Sequence, residues 1–237
     1  MTNKYLKIFN DIVDQIESGE VSTNSLLPSE NELRIQYDTS RETIRKALNL
    51  LAQKGYIQKI RGKGSLVIEN GKFNFPVSGL ISFKELADKM EGSVRTIAHD
   101  VSLIKPTPYI QKQLQLTNKD LVWQVIRTRE INGKKIILDK DYFHQKIVPE
   151  LTKEISEDSI YHYLEKELHL PISFAKKEVT VVEPTAEDRQ FLDLEGFYNV
   201  VVIRNYVYLE DATLFQYTES RHRPDKFKFV DFARRNH

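Results

Sequence analysis

Apolar residues recur at helical spacing through the first quarter of the chain. Leu6, Ile8, Phe9, Ile12, Val13 and Ile16 set one face of a helix over Tyr5–Glu17, and Ser18-Gly19 ends it. Ser29 followed three residues later by Glu32 is a capping box, so a short second helix starts there and stops near Tyr37-Asp38. Thr39-Ser40 offers a new N-cap for a third helix to about Gln53, with Ile44, Ala47, Leu48 and Leu51 on one face and Gly55 as C-cap. The period then changes: Tyr56–Ile60 and Ser65–Ile68 read as strands joined by the turn Arg61-Gly62-Lys63-Gly64.

From Glu69 to Ser78 the chain is polar, holds Gly71 and Pro76, and sustains no period. Phe73, Phe75 and Val77 alternate there, which fits a strand docked against a domain. Beyond it, Leu121–Ile131 and Lys134–Phe143 flank Asn132-Gly133, a strong hairpin signal. Helical patterns follow at Val148–Ile155, Ser159–Leu168 and Ala186–Leu194, and strands at Ile172–Val182, Val200–Leu209, Leu214–Arg221 and Phe227–Phe232. The organisation expected is a helical domain with a two-stranded wing over residues 1–69, a linker over 70–78, and an α+β domain with a mostly antiparallel sheet over 79–237.

Composition narrows the function. The 237 residues are 40% hydrophobic and contain no cysteine, which excludes disulfides, thiol catalysis and zinc fingers. There is no apolar run of membrane-spanning length and the start lacks a signal-peptide core, so the expected location is cytoplasmic, away from any membrane. The formal net charge is only +1, yet Arg34–Lys63 carries eight Lys and Arg against Asp38 and Glu42. Charge gathered on one short element of a near-neutral chain fits a polyanion.

In a helix-turn-helix the start of the second helix meets base edges. Here that start exposes Ser40, Arg41, Thr43 and Arg45. Arginine suits a two-pronged contact to guanine, the two hydroxyls suit phosphate or bases, and Glu30 ahead of the turn suits orienting an arginine or accepting from cytosine. Arg61, Gly62 and Lys63 form a cationic hairpin tip on which glycine permits close approach. A solvated helix face with pairs such as Glu42–Lys46, and a hairpin tip made soluble by its charges, fit the same residues.

Leu27-Pro-Ser-Glu-Asn-Glu-Leu33, Thr39-Ser-Arg-Glu-Thr-Ile-Arg-Lys-Ala-Leu48, Gly55-Tyr-Ile and Gly62-Lys-Gly64 together resemble the winged helix of the GntR family of bacterial transcription regulators, over about Leu6–Ile68. The resemblance implies that the positions of Arg41, Thr43 and Arg45 contact an operator and that Gly62 and its basic neighbours approach the minor groove. The chain departs from the family at Asn31, where arginine is common. Such regulators bind as dimers, which predicts a homodimer on palindromic double-stranded DNA.

In the first strand of the hairpin, Trp123, Val125, Arg127, Arg129 and Ile131 share a face. Guanidinium groups on an inward face need anions. Arg127 and Arg129 fit a fork for phosphate, and equally fit structural ion pairs with Asp139 and Asp141 on the returning strand. A bare Asn132-Gly133 turn sets Asp139 opposite Ile126; a longer loop with a bulge sets it beside Arg127. Ser159 is an N-cap or part of an anion site. Ser82 and Lys84 offer another hydroxyl and ammonium, or a solvated helix start.

Ser82-Phe-Lys84, Arg127-Thr-Arg129, Asp158-Ser-Ile-Tyr161 and Arg223-Pro-Asp-Lys-Phe227 resemble the effector domain of the HutC subfamily, the chorismate-lyase-like (UTRA) fold, over about Val77–Ala233. That resemblance implies that Arg127, Arg129, Ser159 and Tyr161 hold the phosphate of a sugar-phosphate effector, and that Asp139, Gln216 and His222 face the sugar. Several relatives carry Glu and Tyr at the last two positions, so a site different from an amino-sugar site is implied. Glu219 is a further polar candidate. Over the whole chain the resemblance implies a repressor of a trehalose-utilisation operon induced by trehalose 6-phosphate. A regulator answering to another phosphosugar, such as glucosamine 6-phosphate, is the alternative. A lyase-like enzyme is the alternative from a different class, but no catalytic motif, cofactor-binding loop or metal-ligand spacing supports it, and neither cofactor nor metal is expected.

Overall fold

A computed structural model describes residues 3–68, 83–87 and 92–229. Contacts divide the chain into two compact units, the first carrying the described residues 3–68 and the second the remainder.

The first unit has the order α1 (Lys4–Ser18), α2 (Glu30–Gln36), α3 (Arg41–Gln53), β1 (Ile57–Ile60) and β2 (Gly64–Val67). Each boundary has a local cause. Gly19, at φ 83°, closes α1 in the left-handed region. Ser29 and Glu32 form the reciprocal capping box that starts α2. The α3 helix ends in a Schellman motif, with Gly55 N–H bonded to the Ala52 carbonyl at 3.2 Å and Tyr56 N–H to that of Leu51 at 2.9 Å. Ile8, Ile12, Leu33, Ile44, Leu48, Leu51, Ile57 and Val67 make one buried core. The two-stranded wing gains a third rail from 24–27: Asn24 N–H reaches the Val67 carbonyl and Leu27 N–H that of Ser65, both at 2.8 Å.

The second unit runs α4 (Phe83–Ala87), β3 (Val94–Ile104), α5 (Pro108–Leu114), β4 (Val122–Ile131), β5 (Lys134–His144), α6 (Lys153–Asp158), α7 (Ile160–His162) continued by a π-helical turn over Tyr163–Glu167, β6 (Ile172–Val182), α8 (Ala186–Phe191), β7 (Val200–Leu209), β8 (Leu214–His222) and a 3₁₀ turn, Pro224–Lys226. The strands form one sheet in the order β3-β4-β5-β8-β7-β6, antiparallel throughout. On the face that carries Val125, the residues of α6, α7 and the π turn pack through Ile155, Ile160, Tyr163 and Leu164. The opposite face carries α5, through Ile110 and Leu114, and α8, through Phe191.

Several expectations need correction. Val148–Thr152 is not helical; Pro149 disfavours a helix through it, and α6 begins only after Thr152, whose hydroxyl accepts from Ile155 N–H. Residues 227–229 form no strand, and the rest of the strand expected over Phe227–Phe232 lies outside the described residues, as does the alternation at Phe73, Phe75 and Val77. The long β3 and the helix α5 were not anticipated. His99 is an extra residue in β3, between Ala98 opposite Arg127 and Asp100 opposite Ile126, and it breaks the strand's alternation.

Candidate nucleic-acid interface and effector site

The start of α3 presents Ser40, Arg41 and Arg45 to solvent, with Thr43 half-buried between them. Ser40 caps the helix, its hydroxyl accepting from Thr43 N–H at 3.2 Å and lying 2.9 Å from Thr43 Oγ1. Arg41 and Arg45, one turn apart, both donate Nε to one oxygen of Glu30, each at 3.0 Å. Their side chains are 62% and 57% exposed. One carboxylate between two guanidiniums fixes both arginines and leaves a net positive charge facing outward. Partial burial pushes the Glu30 carboxyl up, but the two guanidiniums outweigh it and hold the group below the usual carboxylate range. The solvated Glu42–Lys46 pair is also present, at 3.2 Å. Arg61, Gly62 and Lys63 sit exposed at the wing tip, where Gly62 has φ 77°.

In the second unit, the β4–β5 hairpin decides the site. Asn132 and Gly133 both take positive φ, 52° and 76°, as the tight primed turn requires. Glu130 faces Lys135, but Arg129 faces Ile137, so Ile136 is a bulge residue. The two-residue turn and the bulge thus occur together, and Arg127 falls opposite Asp139 and Val125 opposite Asp141. On the next strand Asp139 faces Ser220 and Asp141 faces Thr218.

This register builds a buried polar network. Arg127 Nη2 meets Asp141 Oδ2 at 2.6 Å, and its Nη1 donates to the Ser156 carbonyl at 3.0 Å. Its buried Nε has no partner among the described residues. Arg129 Nε meets Asp139 Oδ2 at 2.9 Å, Nη1 donates to Thr96 Oγ1 at 2.6 Å, and the guanidinium lies 4.4 Å from the centre of the Phe83 ring. Ser220 donates to Asp139 at 2.6 Å and lies 2.9 Å from His222 Nε2. Thr218 and Gln216 donate to Asp141 Oδ1 at 2.8 and 3.3 Å, and the Tyr161 hydroxyl donates to Gln216 Oε1 at 3.2 Å.

Burial dominates the electrostatics. It lowers Arg129 to about 10, aided by the neighbouring Arg127 charge and opposed by Asp139. It pushes the Asp139 carboxyl up, yet Arg129, Arg127 and the Ser220 hydroxyl together hold it below its ordinary value. It drives His222 down to about 4, so the ring is neutral near pH 7. It raises the Tyr161 phenol, as does the Asp141 charge.

Arg127, Gln216 and Tyr161 are therefore gathered around Asp141, and Arg129 and His222 around Asp139, as two adjacent hydrogen-bonded groups. Ser159 caps α7, its hydroxyl accepting from His162 N–H at 3.2 Å. Lys84 pairs with Asp158, the residue that precedes Ser159 in sequence. Ser82 lies outside the described residues. Glu219 joins neither group. A strand alternates faces, so a residue three places from Gln216 and three from His222 points the other way. Glu219 instead accepts from Tyr109 at 2.8 Å and Tyr217 at 2.7 Å, with Arg204 at 3.4 Å and Arg221 at 3.5 Å. Sequence reasoning missed Thr218 and Ser220, although the same alternation runs Gln216, Thr218, Ser220, His222.

Comparison with known proteins matches both units. Residues 4–67 match the family described as "Bacterial regulatory proteins, gntR family", and residues 89–228 match the UTRA domain. The HTH-type transcriptional regulator TreR of Bacillus subtilis is 59% identical over 98% of this chain and 98% of its own. The solved structure of the possible transcriptional regulator YydK from B. subtilis aligns with TM-score 0.81 at 28% identity, over 98% of this chain and 99% of that one. The effector-binding domain of the B. subtilis trehalose repressor aligns with TM-score 0.57 at 58% identity, over 60% of this chain and 99% of that one. The chain belongs to the GntR family of bacterial transcription regulators, in its UTRA-containing HutC branch. It is a DNA-binding regulator with an effector domain, and not an enzyme.

Proposed function

We propose that this chain represses a trehalose-utilisation operon and leaves its operator when trehalose 6-phosphate occupies the network around Arg127 and Arg129. Full-length similarity to a trehalose repressor supports the operon. The observation that carries DNA reading is the outward pair Arg41 and Arg45, fixed by the single carboxylate of Glu30. Ser40 and Thr43 add hydroxyls, and Arg61, Gly62 and Lys63 track the groove beside them. The protein works in the cytoplasm as a homodimer on a palindrome, with residues 70–78 linking the reading and sensing domains.

For the effector, Arg127, Arg129, Ser159 and Tyr161 receive the phosphate, Ser82 and Lys84 offer it a further hydroxyl and ammonium, and Asp139, Gln216 and His222 meet sugar hydroxyls. Each described cation already has a carboxylate: Asp141, Asp139 and Asp158. A phosphate entering such a balanced cluster must displace a carboxylate or bring in a proton, so binding and rearrangement are one event. Ligand changes operator affinity only by favouring one arrangement of the dimer over another.

The test is fluorescence anisotropy of the full chain on a palindromic fragment of a trehalose-operon promoter. Trehalose 6-phosphate should release the DNA, while trehalose and glucosamine 6-phosphate should not. Release by glucosamine 6-phosphate alone would transfer the regulator to amino-sugar control. No binding to the fragment at low salt would overturn the proposal.

A further inference from the structure

The sheet face that carries Val125 and Arg127 holds one polar residue outside the hydrogen-bonded groups described above. A single row crosses five strands there: Val125, Asp141, Thr218, Asn205 and Lys177, each opposite the next. Along β7 the same face reads Val201, Ile203, Asn205 and Val207, so Asn205 interrupts a buried apolar run. Asparagine is a poor strand former, and a buried acceptor without a donor costs stability. The Asn205 Oδ1 atom is buried and has no hydrogen-bond partner among the described residues. Its cross-strand neighbours do not supply one. Thr218 donates its only hydroxyl proton to Asp141 at 2.8 Å and accepts from Gln216 at 3.0 Å. Lys177 lies opposite on β6 and does not bond to that oxygen. Burial pushes the Lys177 ammonium below its ordinary value, so this end of the row is also withdrawn from water.

We propose that Asn205 is a specificity contact for a second sugar ring, its Oδ1 accepting from a hydroxyl of a disaccharide phosphate whose phosphorylated ring lies at Asp139, Gln216 and His222. This rests on the reading of the pocket as a sugar-phosphate site and extends it. Position supports the assignment. Asp141, which holds the Arg127 guanidinium, is on β5, and Asn205 is on β7, two strands further and about 10 Å across the sheet. That offset leaves one ring between the guanidinium and Asn205 and brings the next ring to the amide. Beside it the surface opens, for Val179, opposite Ile203, is 42% exposed. The chemistry selects a hydroxyl. An amide oxygen takes a donor, whereas a second phosphate would set acceptor against acceptor. A site with a buried acceptor rejects a ligand that lacks the matching hydroxyl, because the acceptor then stays unpaired in the complex.

Isothermal titration of the full-length protein with trehalose 6-phosphate and with glucose 6-phosphate tests this. The wild type should bind the disaccharide phosphate about tenfold more tightly, the contribution of one hydrogen bond. Asn205→Val completes the apolar run of β7 and should remove that advantage, weakening trehalose 6-phosphate about tenfold and glucose 6-phosphate less than about twofold. The same variant should raise the ligand-free melting temperature by about 2–4 °C, because an unpaired buried acceptor is gone. A wild type that binds the two compounds equally has no second-ring contact, and the proposal fails whatever the variant does. Equal losses for both ligands in Asn205→Val, or no loss for either, would also overturn it and leave the sugar-phosphate pocket standing. If the wild type binds neither compound, the sugar-phosphate reading falls and this contact falls with it.

Discussion

The arginine pairs of the two units have the same chemistry and opposite settings. Arg41 and Arg45 sit four apart on a helix, mostly exposed, and share one carboxylate. Arg127 and Arg129 sit two apart on a strand, almost fully buried, and each has its own carboxylate. A surface pair can keep surplus charge because water carries the cost; a buried pair must be neutralised one for one. The first arrangement holds positive charge ready for a polyanion. The second is closed on itself and opens only by exchange.

The largest effect that tests this contrast is on stability. Asp141→Ala leaves the Arg127 charge buried without its partner and should cost roughly 3–5 kcal/mol in urea unfolding of the second unit. A loss under about 1 kcal/mol would mean that water reaches Arg127. Acid comes next. His222 titrates at about 4 in the fold, below its ordinary 6.5, so the unfolded chain binds the proton more readily. The stability from keeping this ring neutral is complete above pH 6.5 and is lost as pH falls towards 4, on the order of 3 kcal/mol. His222→Gln should flatten the melting temperature against pH in that window. On the exposed side, Arg41→Ala or Arg45→Ala should each weaken operator binding by about 1–3 kcal/mol, with the melting temperature unchanged. Ser29→Ala should cost about 1 kcal/mol of winged-helix stability by removing the cap of α2. Glu30→Ala should cost below about 1 kcal/mol of stability as an exposed pair, although operator affinity should fall because both arginines lose their anchor.

The winged helix was readable almost residue by residue, because caps, glycines and helical periodicity are local signals. Ser29, Ser40, Gly19 and Gly55 mark their boundaries by side chain or backbone freedom alone. The second unit was readable where alternation is clean, as in β6 and β7, and opaque where a bulge breaks it. His99 hid β3. The Val148–Ile155 pattern looked helical because its apolar residues pack against the sheet from an irregular segment held by Pro149 and Thr152. The pairing of Arg127 with Asp139 was open in the sequence, since it depends on one extra residue that no propensity announces. Glu219 was misplaced for a simpler reason: its chemistry was weighed without its parity.

That extra residue, Ile136, has a consequence for how this hairpin can evolve. Its side chain is buried and its carbonyl receives the Arg223 amide at 3.0 Å. Drawing it into the ladder, with Arg129 opposite Ile136, would turn every later side chain of β5 over, sending both aspartates towards α5 and α8 and lining up leucine and lysine with the guanidiniums. A codon lost at Ile136 would leave Arg129 opposite Ile137 and both aspartates on the arginine face, whereas a full-length strand paired without its bulge would exchange the inside and outside. What selection must hold in the sensing half is the face that Asp139 and Asp141 take, not the number of residues that separates them from Gly133.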